Sequence, residues 1–343
     1  MQQQPPTSPD VSSAAKSPLF QSSTQYRNWR FSVEQLKATR AALNQASVAA
    51  IRNTFESDSP GSSSDVHFLD ANEEHLLVKL YIIKISQLCG HFRFPEEVEA
   101  TGITYLKRFY LKNTVMDWHP KNVMLTALYL ATKTTNHPIS LESYTANIPR
   151  TNASDVLDLE FLVAQSLAFE FAVWHAHRAL WGIWLDIQDL PQAPPHEELQ
   201  RIHDTAMQHI RTSRLTDVEL IYPPSQIALA CLSLAHPEIA AFWARSKNAD
   251  TALEAIESIK RTITRDGDTP SVDVVREIDR HLKICKNPEK VVGSKAYLAK
   301  RAREEKEAEL KRKKKAENVR KATEQGNPFG EVLVGQANLD DDD

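Results

Sequence analysis

Val123 to Ala131 reads VMLTALYLA, apolar throughout except for Thr126. A helix lying on a surface keeps one polar face, so a helix with almost none is enclosed by other helices. His119-Pro120 stands just ahead of it, which suits a helix with proline in its first turn. Lys133 stands just behind it, a charge at the end of the most enclosed helix of the chain, where it needs a partner or a nearby surface to reach. The pattern then recurs 104 residues on. Pro224 falls on Pro120, IALACLSLA (227–235) falls on 123–131, and Leu125/Leu229, Leu128/Leu232, Leu130/Leu234 and Ala131/Ala235 are identical. Two Leu/Ala-rich helices can match by chance, but the shared proline, the flanking helical patterns and the similar unit length favour a duplicated domain. The expected fold is all-α: two tandem five-helix repeats, each wrapped around its own third helix, with additional N-terminal and C-terminal helices.

Only 9 glycines in 343 residues, with 41% hydrophobic residues, agree with helices rather than turn-rich sheets. Residues 1–23 are Gln, Pro, Ser and Thr with little to bury, and are expected to be a disordered tail. Its Ser8-Pro9 and Ser17-Pro18 are either proline-directed phosphorylation sites or plain solvated tail. An N-terminal helix (24–56) follows, with Ser32 as N-cap and Gln35 at the capping-box position. The first repeat (66–170) is expected to hold helices from Asp70 to Phe92, Pro95 to Leu111, Pro120 to Lys133, a short one after Ser140, and one from Ser154 through Leu167. Leu76, Leu77, Leu80, Ile83 and Leu88 form the expected apolar stripe of its first helix. The second repeat (171–268) is expected to hold helices over Trp174–Leu190, Glu197–Arg214, Tyr222–Ala235 and Ala249–Thr264, the last with Leu253, Ile256, Ile259 and Ile263 at helical spacing. C-terminal helices (270–323) follow, one amphipathic over Val272–Ile284 and one solvated over 295–321. The latter carries twelve Lys/Arg against five Glu, a net charge of +7. The expected acidic tail (324–343) ends in four aspartates.

The formal net charge of −4 gives no global attraction to nucleic acid. Cys89, Cys231 and Cys285 are far apart and fit neither a metal spacing nor a disulfide framework, which points to a reducing compartment. No apolar run is long enough for a membrane span or a signal core, so a soluble, intracellular protein is expected. No phosphate-cradling glycine loop, Gly-x-Ser-x-Gly or His-Glu-x-x-His occurs. The pairs His175/His177 and His203/His209 lack a one-turn spacing with a carboxylate. No catalytic residue, metal ligand or cofactor site is assigned, and an enzyme is not expected.

Two charges interrupt apolar helices: Lys133, and Glu160 within VLDLEFLVAQSLAFEF. Each alone would be costly to desolvate. On adjacent central helices they would meet at one domain face, paired with each other or with a partner's backbone.

At these residues the chain resembles the cyclins. The cyclin box is a five-helix domain, usually present twice, with a lysine closing the third helix and a glutamate in the fifth. ALYLATK supplies Lys133 and LEFLVAQSLAFEF supplies Glu160, and the resemblance implies that both contact a cyclin-dependent kinase around its mobile helix. YRNWRFS (26–32), YLKRFYLKNTVMDWHP (105–120) and LTDVELIYPPSQIALA (215–230) direct the resemblance to the transcriptional branch of the family. Tyr26 and Trp29 are then a second candidate kinase contact, with packing on the first repeat as the equal alternative. The implied role is that of a non-catalytic, nuclear regulatory subunit. Its implied partners are the kinase of the CDK-activating complex, a RING-finger assembly subunit and, through them, core TFIIH. The implied output is phosphorylation of the RNA polymerase II C-terminal repeats.

The chain departs from the family in places. Thr134-Thr135-Asn136 stand where many cyclins carry acidic residues, and LVKLYIIK (77–84) stands where substrate-recruiting cyclins carry a Met-Arg-Ala-Ile-Leu patch, so docking of Arg-x-Leu substrates is not expected. The cyclin of the Mediator kinase module is the alternative within the family. A TFIIB-like factor binding DNA and TATA-binding protein is the alternative outside it. That factor would want an N-terminal zinc ribbon and basic repeats, yet residues 1–70 hold no cysteine and the positive charge lies outside the repeats. Contact with nucleic acid is expected at most weakly, through the basic C-terminal helix.

Overall fold

The computed structural model describes residues 19–191, 193–249 and 251–324. Ser8-Pro9, Ser17-Pro18 and the terminal aspartates lie outside the described residues. Among the described residues there is no strand. The helices are α1 (Thr24–Asn28), α2 (Val33–Asp58), α3 (Ala71–Phe92), α4 (Glu96–Phe109), α5 (Pro120–Thr134), α6 (Leu141–Ala146), α7 (Ala153–Ser166), α8 (Ala176–Gln188) and α9 (His196–Ser213). They continue with α10 (Val218–Ile221), α11 (Pro224–Ala235), α12 (Pro237–Ser246), α13 (Thr251–Ala255), α14 (Glu257–Asp266), α15 (Val272–Cys285) and α16 (Lys295–Glu324).

Local chemistry sets several helix starts. Ser32 and Gln35 close a reciprocal capping box, the Gln35 amide donating to Ser32 Oγ at 3.1 Å and the Ser32 amide to Gln35 Oε1 at 2.8 Å. Asp70 and Glu73 do the same at α3. His119 caps α5, its Nδ1 accepting from the Lys121 amide at 3.1 Å with Pro120 in the first turn. These devices satisfy donors that the first turn leaves without helical partners.

The chain divides into two compact units. Among the described residues the larger comprises 19–48 and 67–284 and contains both five-helix repeats. In the first repeat α5 packs against α3, α4 and α7; in the second α11 packs against α8, α9, α12 and α14. The helices aligned by the repeat are thus the axes of their own bundles, as enclosure on all sides requires. The first core includes Leu77, Ile85, Leu106, Val123, Leu125, Leu128 and Val163, and the second Leu180, Leu199, Ile210, Leu229, Leu232 and Ile259. Gly102 lets α4 approach α5 closely: a Cβ there would lie 3.4 Å from the Leu128 backbone.

Among the described residues the smaller unit comprises 49–66 and 285–324. Glu56 accepts the amides of Gly61 (2.6 Å) and Ser63 (3.0 Å), folding the turn after α2. A 3-10 turn at Pro288–Lys290 packs along α16, tied by Lys300–Glu289 at 2.9 Å. The described side chains of α16 beyond Lys300 are exposed on every face.

Several expectations are corrected. The buried stripe of α3 is Leu77, Val78, Ile82, Ile85 and Cys89, whereas Leu76, Leu80, Ile83 and Leu88 are only half-buried. Both sets keep helical spacing, and only the neighbours decide which is inside. The expected 249–264 helix is two, α13 and α14, with Ile256 buried at the joint. α13 packs on α11 and α12, and α14 on α9, α10 and α11, so one straight rod could not serve both. α12 was not foreseen. Its signal is the one that marks α5, a capping histidine (His236 Nδ1 accepting from the Ile239 amide at 3.3 Å) before proline. α8 begins at Ala176 rather than Trp174, because the Trp174 backbone is engaged by Gln25.

Candidate partner-binding site

Lys133 and Glu160 come together. Lys133 is in the last turn of α5 and Glu160 in the middle of α7, and their side chains form an ion pair. Lys133 Nζ also lies 4.8 Å from the centre of the Tyr129 ring. The expected desolvation does not hold: the side chains are 36% and 24% exposed. The last turn of α5 emerges at the surface, and a pair so wetted contributes about 0–1 kcal/mol. Its place in the fold therefore has little to do with stability.

The surroundings of the pair are apolar and open. Leu157 and Phe161 lie one turn apart on the same helix as Glu160 and are 47% and 70% exposed. Phe169, 55% exposed, meets Phe161 edge-on at 6.1 Å. Ala168 and Phe169 both have positive φ (52° and 57°), a conformation costly for side-chain-bearing residues. Two such residues in succession turn the chain sharply at the end of α7 and hold an aromatic ring at the surface. Tyr105 secures the following segment: its hydroxyl donates to the Phe171 carbonyl at 2.7 Å and lies 3.0 Å from Thr134 Oγ1. Burial pushes the Tyr105 hydroxyl up to about 12, so it remains a donor.

Trp29 does not reach this surface. It is 3% exposed, with the guanidinium of Arg108 4.8 Å and the ammonium of Lys112 5.0 Å from its ring centre. Its indole N–H donates to Glu170 Oε2 at 2.6 Å, and Asn28 donates to the other oxygen at 2.5 Å. Gln25 grips the Trp174 backbone from both sides, accepting its N–H at 2.6 Å and donating to its carbonyl at 3.2 Å. The Phe31 amide donates to the Leu220 carbonyl at 2.8 Å. α1 is thereby strapped over the junction of the repeats, and Trp29 is a packing residue. Tyr26 is half-buried, with Arg30 stacked 4.8 Å from its ring centre and Phe20 at 5.6 Å.

Arg108 and Glu170 were missed because neither belongs to a motif. Arg108 is 1% exposed, and burial lowers its guanidinium to about 10 despite nearby Glu219, Tyr105 and Glu170. A charged pair inside YLKRFY and AFEF was the available signal. His203 lies against Trp181 and Trp184, and burial lowers the imidazole of His209. His175 and His177 stack at 5.3 Å, His175 bonding Thr101 Oγ1 at 2.9 Å. Cys89 and Cys231 are free and buried, their thiols pushed up by burial.

Two five-helix bundles in tandem, each about its own third helix, with a lysine–glutamate pair joining the third and fifth helices of the first, define a cyclin. The family model described as the cyclin N-terminal domain matches residues 56–172, and that described as the cyclin C-terminal domain matches 175–267. The chain belongs to the cyclin family. It is 30% identical over 296 residues to cyclin mcs2 of Schizosaccharomyces pombe, covering 83% of this chain and 91% of the relative. It is 29% identical over 297 residues to cyclin-H1-1 of Arabidopsis thaliana, covering 78% and 88%. Among solved structures it is similar to a chain of the CAK complex from Chaetomium thermophilum bound to ATP-gamma-S, with a TM-score of 0.74, 28% identity, and 84% of this chain and 94% of that chain covered. It is also similar to a chain of the yeast TFIIK (Kin28/Ccl1/Tfb3) complex, with a TM-score of 0.60, 29% identity, and 71% and 99% covered.

Proposed function

We propose that the chain is a non-catalytic regulatory subunit that binds and activates the cyclin-dependent kinase of the CDK-activating module of TFIIH. It acts in the nucleus, assembles with that kinase and a RING-finger subunit, and supports phosphorylation of the RNA polymerase II C-terminal repeats. The observation that carries the reading is the surface of the first repeat, where the helix that holds the wetted Lys133–Glu160 pair also exposes Leu157 and Phe161, the latter against exposed Phe169. An apolar patch around a polar register pair is what a protein partner buries. The similarity to chains from the CAK and TFIIK complexes supports the choice of partner.

The second repeat has no equivalent pair. Its aligned helix ends Leu234-Ala235-His236-Pro237, and Pro237 starts a new helix at once. The first repeat is therefore the one that would face the kinase. There it would act by population shift, favouring the kinase conformer in which the mobile helix completes the ATP site.

The test is capture of the kinase from native extract by the wild-type chain and by folded Lys133→Ala, Glu160→Ala and Phe161→Ala variants. Reduced capture and reduced kinase activation are expected for each. Wild-type capture and activation by all three would overturn the interface, and recovery of the Mediator kinase instead would overturn the choice of partner.

A further inference from the structure

Three side chains from two distant parts of the sequence converge beside the start of α3. His67 precedes the helix, Glu73 lies in its first turn, and His281 comes from near the end of α15. One nitrogen from each histidine and one oxygen of Glu73 lie within 4.8 Å of one another. His67 Nε2 is 3.7 Å from Glu73 Oε1, and the two imidazoles meet edge-on at 4.9 Å. That separation is too long for a hydrogen bond. Tetrahedral zinc with bonds of about 2.0–2.2 Å sets its ligand atoms roughly 3.4 Å apart, within reach of small side-chain rotations here.

We propose that His67, Glu73 and His281 form a binding site for a Zn²⁺-class divalent ion, with water in the fourth position. Two imidazoles and one carboxylate suit zinc and its borderline neighbours, whereas magnesium and calcium want oxygen ligands throughout.

The surrounding polar contacts hold the ligands in place. The Asp70 amide donates to Glu73 Oε2 at 2.9 Å, leaving Oε1 as the oxygen that faces His67. His281 Nε2 lies 3.1 Å from Glu277 Oε1, one turn earlier on α15, while its Nδ1 is buried without a hydrogen-bond partner. An imidazole that donates one N–H to a carboxylate keeps a lone pair on its other nitrogen, the usual state of a metal-ligating histidine. A buried nitrogen with no partner is costly, and an ion relieves that cost.

The ion would act as a clip. α15 buries Val275, Ile278 and Leu282 and touches the first repeat through His119–Asp279 at 3.2 Å. Coordination would fix its far end to the start of α3, and an ion that binds only the folded chain stabilises it by an amount that grows with the logarithm of its concentration above the dissociation constant.

The test is Zn²⁺ titration of the untagged full-length chain after chelator treatment, followed by competition with a chromophoric chelator. One ion per chain at micromolar or tighter affinity is expected. His67→Ala and His281→Ala should each weaken binding by at least about tenfold, and Glu277→Gln by about tenfold. His91→Ala, elsewhere on α3, should leave binding unchanged. Bound zinc should slow amide exchange along α15, and His67→Ala should abolish that protection. Absence of one-to-one binding, or unchanged affinity in His67→Ala, would overturn the site. Should His281→Ala fail to fold, His67→Ala decides alone, because that side chain is 63% exposed and lies outside both cores.

Discussion

Replacing Trp29 separates packing from partner contact. The ring is 3% exposed, lies between Arg108 and Lys112, and donates to Glu170 at 2.6 Å. Removing a buried tryptophan ring costs about 3–5 kcal/mol. Within that total, the hydrogen bond to an ionised carboxylate accounts for about 1.5–3 kcal/mol and the cation contacts for about 0.5–2 kcal/mol. These parts overlap, since Arg108 and Glu170 serve the same ring. Trp29→Ala should therefore weaken the strap by the full amount, and Trp29→Phe, which keeps a ring but no N–H, by about 1.5–3 kcal/mol. The loss should appear first as local release of the segment around α1, because its anchors are few and peripheral to both cores. Amide exchange over residues 19–31 reads this directly, alongside the thermal midpoint of the whole chain. Faster exchange in the order wild type, Trp29→Phe, Trp29→Ala is expected. If exchange is unchanged in both variants while kinase capture is lost, the packing assignment is wrong and Trp29 is a partner contact.

Three further predictions concern stability. Gly267→Ala should destabilise the second repeat by about 1–3 kcal/mol in denaturant melts, because the added Cβ would meet the Ile263 carbonyl and Thr212 Cγ2, each at 2.4 Å. Arg40→Ala should cost about 2–3 kcal/mol, since it removes both 2.7 Å hydrogen bonds to Asp217, whose carboxyl burial would raise but Arg40 holds well below its usual range. Arg276→Ala, on an exposed pair, should cost under about 0.5 kcal/mol, and equal losses in the two variants would refute the argument. Burial lowers both His75 and His177 to about 4, so each stays neutral in the folded chain where the unfolded chain takes up a proton near 6.5. Stability should fall as pH drops from about 7 towards 4, by about 1–2 kcal/mol per histidine at pH 5. Urea midpoints at pH 7 and pH 5 check this, and a flat profile would contradict it.

Much of the architecture was legible because it is written in local terms. Enclosure of 123–131 and 227–235, the prolines before them and the capping box at Ser32 depend on residues within a few positions of each other. Helical spacing, by contrast, fits more than one face. It admitted both the Leu76/Leu80 and the Val78/Ile82 stripes of α3, and it could not register the joint at Ile256.

The candidate site divides along the same line. A lysine ending one apolar helix and a glutamate interrupting another were visible as exceptions to pattern, and their partnership across α5 and α7 was a possibility the sequence left open. That the pair is wetted, and that Phe161 and Phe169 stand exposed beside it, depends on where the last turn of α5 emerges and on the left-handed residues Ala168 and Phe169. The burial of Trp29 on Arg108 and the approach of His67 to His281 join residues far apart in the chain. The sequence by itself determined most of the helices, their duplication and the repeat that carries the pair, because periodicity and capping act over a few residues. Only the tertiary structure decided which charges meet water, which aromatic rings are inside and which histidines are neighbours, because burial is a property of what the rest of the chain places alongside.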